Sequence, residues 1–181
     1  MKFTETELKD VWIIEPRRFG DHRGYFCETF RLDEFRQHIR DVRFIQDNES
    51  VSAHGVLRGL HYQRGAMSQA KLVRVSQGHV LDVAVDLRRE SPTFGRHIAV
   101  DLDSESGRQL FIPRGFAHGF VVLSDTAQFQ YKVDNVYCPE SERTIRYDDP
   151  DLDIDWRLPA EQLTLSDKDL RGIAFSECET F

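Results

Sequence analysis

Cysteine is scarce in this chain: Cys27, Cys138 and Cys178 are the only three among 181 residues. No two of them form a metal-like pair, and an odd number argues against a disulfide framework, so reduced, cytoplasmic surroundings are expected. Long apolar runs are also missing. Without a stretch of about 18 apolar residues no spanning helix is expected, and the first residues, MKFTETELKDVWII, lack the basic-then-apolar layout of a secretory leader. A membrane is therefore not an expected partner. Positive charge is short too, with 24 Lys and Arg against 31 Asp and Glu and a formal net charge of −7. Binding a phosphate polymer needs a basic stripe, and none is visible, so nucleic acid is excluded as a partner. A small anion held by a few local arginines stays open. No Pro/Gly/Ser-rich linker divides the chain, which reads as one domain over residues 1–181.

What is present is period-2 patterning. From residue 70 onward apolar and polar residues alternate, the signature of half-buried strands. In HVLDVAVDLRR, Leu81, Val83, Val85 and Leu87 share one face, while Asp82, Ala84 and Asp86 share the other. Ile98, Val100 and Leu102 repeat the scheme, as do Ala127, Phe129, Tyr131 and Val133. Turn signals such as SQGH, SPTFG and SESG separate the runs, which is the spacing of a sandwich or barrel. Two short helices are expected: RLDEFRQHI, with Leu32, Phe35 and Ile39 on one side, and a C-terminal turn starting at LSDKDL. The fold class expected is all-β with short flanking helices.

The same parity puts polar residues where a plain core would exclude them. Glu28 shares a face with Phe26 and Phe30, and Gln46 and Asn48 share one with Phe44. His61 and Gln63 follow Leu57, Lys71 precedes Val73 and Val75, and Tyr131 lies between Phe129 and Val133. Any one of these can be a satisfied core residue, and Lys71 can snorkel from a strand end. Five strands each placing a polar group on the apolar face point instead to a binding cavity inside a barrel. The stretch GVLRGLHYQ adds a question, because burying Arg58 or His61 is costly unless each finds a partner.

The run Gly107, Pro113, Gly115, His118 resembles the second motif of cupin barrels, where the histidine is a metal ligand. In the first motif Gly55 and His61 fit, but Gln63 stands where a second histidine belongs, and Met67 and Ser68 stand near the glutamate's place. Two histidines and a neutral amide fall short of the usual catalytic metal sites, which only Glu28 would complete, and no metal is expected.

The motifs DHRGYFCETF, FIQDNES, GVLRGLHYQ, KLVRV, DVAVDLRRESPTFG, IPRGFAHGFVVLS, YKVDNVYCPESE, DDPDLDIDW and LSDKD together resemble the dTDP-4-dehydrorhamnose 3,5-epimerase family over nearly the whole chain. The resemblance implies a cofactor-free, cupin-like jelly-roll barrel. It also implies a homodimer with an exchanged N-terminal segment. The implied reaction takes dTDP-4-keto-6-deoxy-D-glucose to dTDP-4-keto-L-rhamnose. Carbons 3 and 5 of that sugar flank the ketone, so a base on one face, an acid on the other and a cation at the enolate oxygen suffice to invert them. By the resemblance His61 is the base, a role suited to a side chain with an ordinary pKa near 6.5. Tyr131 is the acid and Lys71 the cation. Asp169 holds the second nitrogen of His61, although SDKD also fits a capping box on Ser166. Arg58, directed away from the face of His61 or to the barrel mouth, and Arg23, from a partner subunit, reach the diphosphate through paired hydrogen bonds. Phe26, Glu28, Gln46, Asn48, Glu142 and Lys168 match nucleotide or sugar contacts, Tyr137 matches an aromatic stacked on thymine, and His118 a sugar or phosphate contact. Relatives on this scaffold that epimerise one carbon, and a non-catalytic nucleotide-sugar binding protein, are the alternatives.

Overall fold

Runs of Val, Ile, Leu and Phe at alternating positions become strands because β-branched and aromatic side chains pack well on a pleated surface. A computed structural model describes all residues, Met1–Phe181. In chain order the elements are β1 (Lys2–Glu5), β2 (Trp12–Glu15), β3 (Arg18–Asp21), β4 (Gly24–Cys27), α1 (Leu32–His38), β5 (Gln46–Ala53) and β6 (Leu57–Gln63). They continue with β7 (Lys71–Gln77), β8 (His79–Asp86), β9 (His97–Asp103), β10 (Gln109–Ile112), β11 (Phe116–Val122), β12 (Thr126–Val133), β13 (Glu142–Thr144) and α2 (Asp167–Leu170). No helix is long and apolar enough to cross a membrane.

Two antiparallel sheets face each other. One has six strands in the order β1-β2-β10-β7-β12-β5, the other five in the order β13-β6-β11-β8-β9. Their inner faces meet in one apolar cluster that includes Val73, Val75 and Phe129 from the first sheet and Val80, Ala84, Phe120 and Val122 from the second. The all-β, cupin-like jelly-roll expectation holds. A third, two-stranded sheet pairs β3 with β4.

The five-stranded sheet is covered on both faces. Leu81, Val83, Val85 and Leu87 point outward and pack beneath the C-terminal segment with Ile145, Leu152, Trp156 and Cys178. Each such burial contributes about 1.5–3 kcal/mol. It is therefore Val80, Asp82, Ala84 and Asp86 that share the inner face, with β11 supplying Phe116, His118, Phe120 and Val122 opposite them. A strand buried on both sides loses the contrast that alternation needs, so the more apolar face is not the inner one here.

Three local expectations need correction. Leu32 of α1 is 40% exposed, and only Phe35 of that helix is buried. Phe44 precedes β5 and joins Phe30, Phe35 and Phe111 on the outside of the six-stranded sheet, so it does not share the inner face of Gln46 and Asn48. The strand carrying Phe26 stops at Cys27, and its hairpin stands apart from both sheets with Tyr25 and Phe26 60% and 69% exposed. An exposed hairpin alternates as regularly as a half-buried strand, which is why parity alone drew Glu28 inward.

Candidate active site

The site lies between β5 and β13, the edge strands at which the two sheets open. Its first wall is β6. Cross-strand pairing puts His61 opposite His118 and Arg58 opposite Phe120, with a bulge between them because three steps on β6 span two on β11. The bulge turns Arg58 to the same inner face as His61, where uninterrupted alternation had placed it on the other. Gly59 makes this possible: its φ is +141°, and a Cβ there would lie 2.5 Å from the Gly119 Cα. Leu57 pairs with Val121 and faces outward, so it does not share the face of His61.

His61 Nε2 lies 2.5 Å from Asp169 Oδ1. Asp169 is the third residue of α2, and its other oxygen accepts from Ser166 Oγ at 2.6 Å while Ser166 Oγ accepts from the Asp169 amide. Capping box and histidine partner, weighed above as rival readings, are one arrangement that uses both carboxylate oxygens. Asp169 is only 3% exposed. Burial alone raises its pKa, but the hydrogen bonds from His61 and Ser166 outweigh that and hold the carboxyl down to about 2.

The facing wall is the six-stranded sheet. Tyr131 on β12 pairs with Val73 and with Asn48 of the edge strand, so it shares their inner face. Its ring continues an aromatic row, with Phe129 6.2 Å away and His118 6.0 Å beyond that. Burial raises the phenol's pKa, and the charge of Glu142 adds to this against the pull of Arg58. Lys71 pairs with Val133 and Ile112 on the same face and donates to no protein acceptor. Burial draws its ammonium down to about 8, with Lys168 adding to the fall and Asp82 and Glu142 opposing it. Arg58 crosses to β5, where Nε and Nη2 each reach Ser52 Oγ at 3.1 Å.

Glu142 ties the rim together. It accepts from Tyr137 Oη at 2.9 Å and from Lys168 Nζ at 2.7 Å, and its charge is felt by Lys71 and Tyr131. Gln46 donates to Asn48 at 2.7 Å on the opposite rim. His61, Lys71, Tyr131, Asp169, Arg58, His118, Glu142, Lys168, Tyr137, Gln46 and Asn48 are thus brought to one opening. Arg23, Phe26 and Glu28 are not: Arg23 is paired with Asp21 at 2.6 Å and Glu28 with Arg31 at 3.7 Å, both in the open. Gln63 shares the inner side but serves the fold, donating to the Met67 and Val136 carbonyls and accepting from the Cys138 amide. A cavity of about 410 Å³ lies along the six-stranded sheet among Arg74, Gln109, Gln130 and Lys132, and Asn48 and Tyr131 also border it.

One inner residue was not singled out from the sequence. Asp82 is fully buried, and its Oδ2 lies 2.9 Å from His118 Nε2. The available signal was an aspartate in the middle of an otherwise apolar strand, VLDVAV. Both histidines of the cupin-like motifs are thus bound through Nε2 to a carboxylate.

The profile of the dTDP-4-dehydrorhamnose 3,5-epimerase family matches residues 5–177. The enzyme of that name from Shigella flexneri is 50% identical over 182 residues, covering 100% of this chain and 99% of its own. A crystal structure of dTDP-6-deoxy-D-glucose-3,5-epimerase from Legionella pneumophila, in complex with dTDP-4-keto-L-rhamnose, superposes with a TM-score of 0.94 at 48% identity, covering 98% and 94% of the two chains. A 3'-monoepimerase from Streptomyces bikiniensis, in complex with dTDP-quinovose, superposes with a TM-score of 0.87 at 36% identity over 94% and 86%. With a similarity that runs nearly end to end, the chain belongs to the dTDP-4-dehydrorhamnose 3,5-epimerase family.

Proposed function

We propose that this protein epimerises carbons 3 and 5 of dTDP-4-keto-6-deoxy-D-glucose, giving dTDP-4-keto-L-rhamnose, with His61 as base and Tyr131 as acid. The observation that carries the reading is their placement on facing sheets, one on β6 and the other on β12. A sugar ring held between them meets a proton acceptor on one side and a donor on the other, which inversion requires.

The hydrogen bonds assign the roles further. A neutral imidazole that donates from Nε2 to Asp169 carries its lone pair on Nδ1, so Nδ1 takes the proton from carbon 3 or 5. The low pKa of Asp169 keeps it a carboxylate, ready to stabilise the imidazolium that forms. Charge moves onto the ketone oxygen, where the Lys71 ammonium stabilises the enolate. Burial keeps Tyr131 a phenol, and Arg58 nearby eases its loss of the proton to carbon. Lys168, Glu142 and Tyr137 line the rim where the nucleotide extends, with Tyr137 56% exposed and free to stack on a base. Gln46, Asn48 and His118 contact the sugar or phosphate end, and no cofactor enters the scheme.

We place Arg23, Phe26 and Glu28 in the site of a second copy, in a cytoplasmic homodimer that exchanges the N-terminal segment. The exposed Phe19, Tyr25 and Phe26 on one hairpin support this, since a lone hairpin with three bare aromatics lacks the core that stabilises such an element. Light scattering tests it: a monomer at micromolar concentration sinks it.

Incubation with dTDP-4-keto-6-deoxyglucose in deuterated water, read by NMR, tests the reaction. Deuterium at carbons 3 and 5 is the expected result. Label at one carbon makes the chain a single-centre epimerase, and no label makes it a binding protein.

A further inference from the structure

We propose that Asp82 is a positioning residue: from beneath the sugar pocket it holds His118 in place and keeps Lys71 in its ammonium form for the reaction. The proposal rests on the epimerase reading above and goes beyond it, since neither motif nor parity gave Asp82 a part.

The geometry is that of a buried anchor with one hand free. Asp82 has no solvent exposure, Oδ2 is bound to His118, and Oδ1 is buried without a hydrogen-bond partner. A buried carboxylate oxygen left bare is costly unless a nearby charge compensates it. Lys71, on the inner face of the sheet opposite, is the cation whose charge acts on both Asp82 and His118. The charges acting on Lys71 in turn are those of Asp82 on β8, Glu142 on β13 and Lys168 on α2, and the charge of Lys71 acts on His118 of β11. Of these only Asp82 and Glu142 favour its charged form. Glu142 is already engaged by Lys168 and Tyr137 at the rim, whereas Asp82 keeps Oδ1 without a hydrogen-bond partner.

Such a role predicts a signature that packing alone does not. In Asp82→Asn the side chain keeps its shape and loses its charge. The pH midpoint for acylation of Lys71, followed by mass spectrometry of the labelled full-length protein, should fall by about one unit from its value near 8. The alkaline limb of the kcat profile should fall with it, giving about a fivefold loss of kcat at pH 8 with KM within about threefold. Asp82→Glu should restore the limb. An unchanged Lys71 midpoint in Asp82→Asn overturns the proposal, as does a uniform loss at every pH. Should Asp82→Asn fail to fold, Lys71→Met tests the same coupling from the other end. The Asp82 carboxyl, followed by carbon-13 NMR, should then titrate at higher pH than in wild type, and an unmoved titration refutes the link. The labelling midpoint needs no turnover, so failure of wild-type deuterium exchange would strike the epimerase reading and leave this result separately legible.

Discussion

Two histidine–carboxylate pairs stand across one strand interface, His61–Asp169 at 2.5 Å and His118–Asp82 at 2.9 Å, and the two carboxyls shift in opposite directions. Asp169 caps a helix, collects hydrogen bonds from His61, Ser166 and the Gly59 amide, and is held down to about 2. Asp82 sits in a strand with one oxygen bare, and burial pushes it up despite His118 and Lys71. The number of donors, more than the histidine itself, decides what a buried aspartate does. The first pair can drive a base. The second trims the charge of its neighbours.

Removing His61 should break the comparison most severely. His61→Asn is expected to lower kcat/KM by about 10²–10⁴-fold, measured as deuterium incorporation at either carbon, and retention of exchange would dismiss it as the base. Next in size, Tyr131→Phe should lower formation of inverted product about 100-fold while exchange of the substrate's protons continues. Equal loss of both reactions would put acid and base on one side. Asp169→Asn should lower kcat about 10–100-fold, as a lost partner of a working imidazole does.

Stability sharpens the contrast in sign. The folded pKa of Asp169, about 2, lies below its unfolded value, so its contribution of about 2 kcal/mol is present above about pH 4 and is lost as pH falls toward 2. Urea titrations across that range should show Asp169→Asn destabilised at pH 7 and flatter in acid. For Asp82 the shift is upward, so the charged form disfavours the fold above the unfolded pKa. Asp82→Asn should therefore be no less stable than wild type at pH 7, and a loss matching that of Asp169→Asn would erase the distinction. Smallest is Ser166→Ala, expected to cost about 1 kcal/mol through the lost cap, read from the melting temperature.

Much of the site was legible because strand parity and motif spacing are local. Lys71, Tyr131 and His61 lie on inner faces as alternation and resemblance indicated, and SDKD marked both the cap and the partner of His61. Arg58 was misdirected because a bulge beside Gly59 resets the alternation, and a bulge depends on the partner strand as much as on its own residues. Phe26 and Glu28 were drawn inward by a pattern that a free hairpin shares. Asp82 was passed over because the more apolar face of β8 was read as the core.

By itself, then, the sequence determined the strands, the all-β class and the chemical inventory, because side-chain period and residue type are properties of neighbours along the chain. Which face of a doubly buried strand looks inward, and which carboxylate serves which histidine, was decided only by the tertiary structure. Those choices depend on what the C-terminal segment covers and on how many donors converge on one oxygen, and both are contacts between residues far apart in the chain.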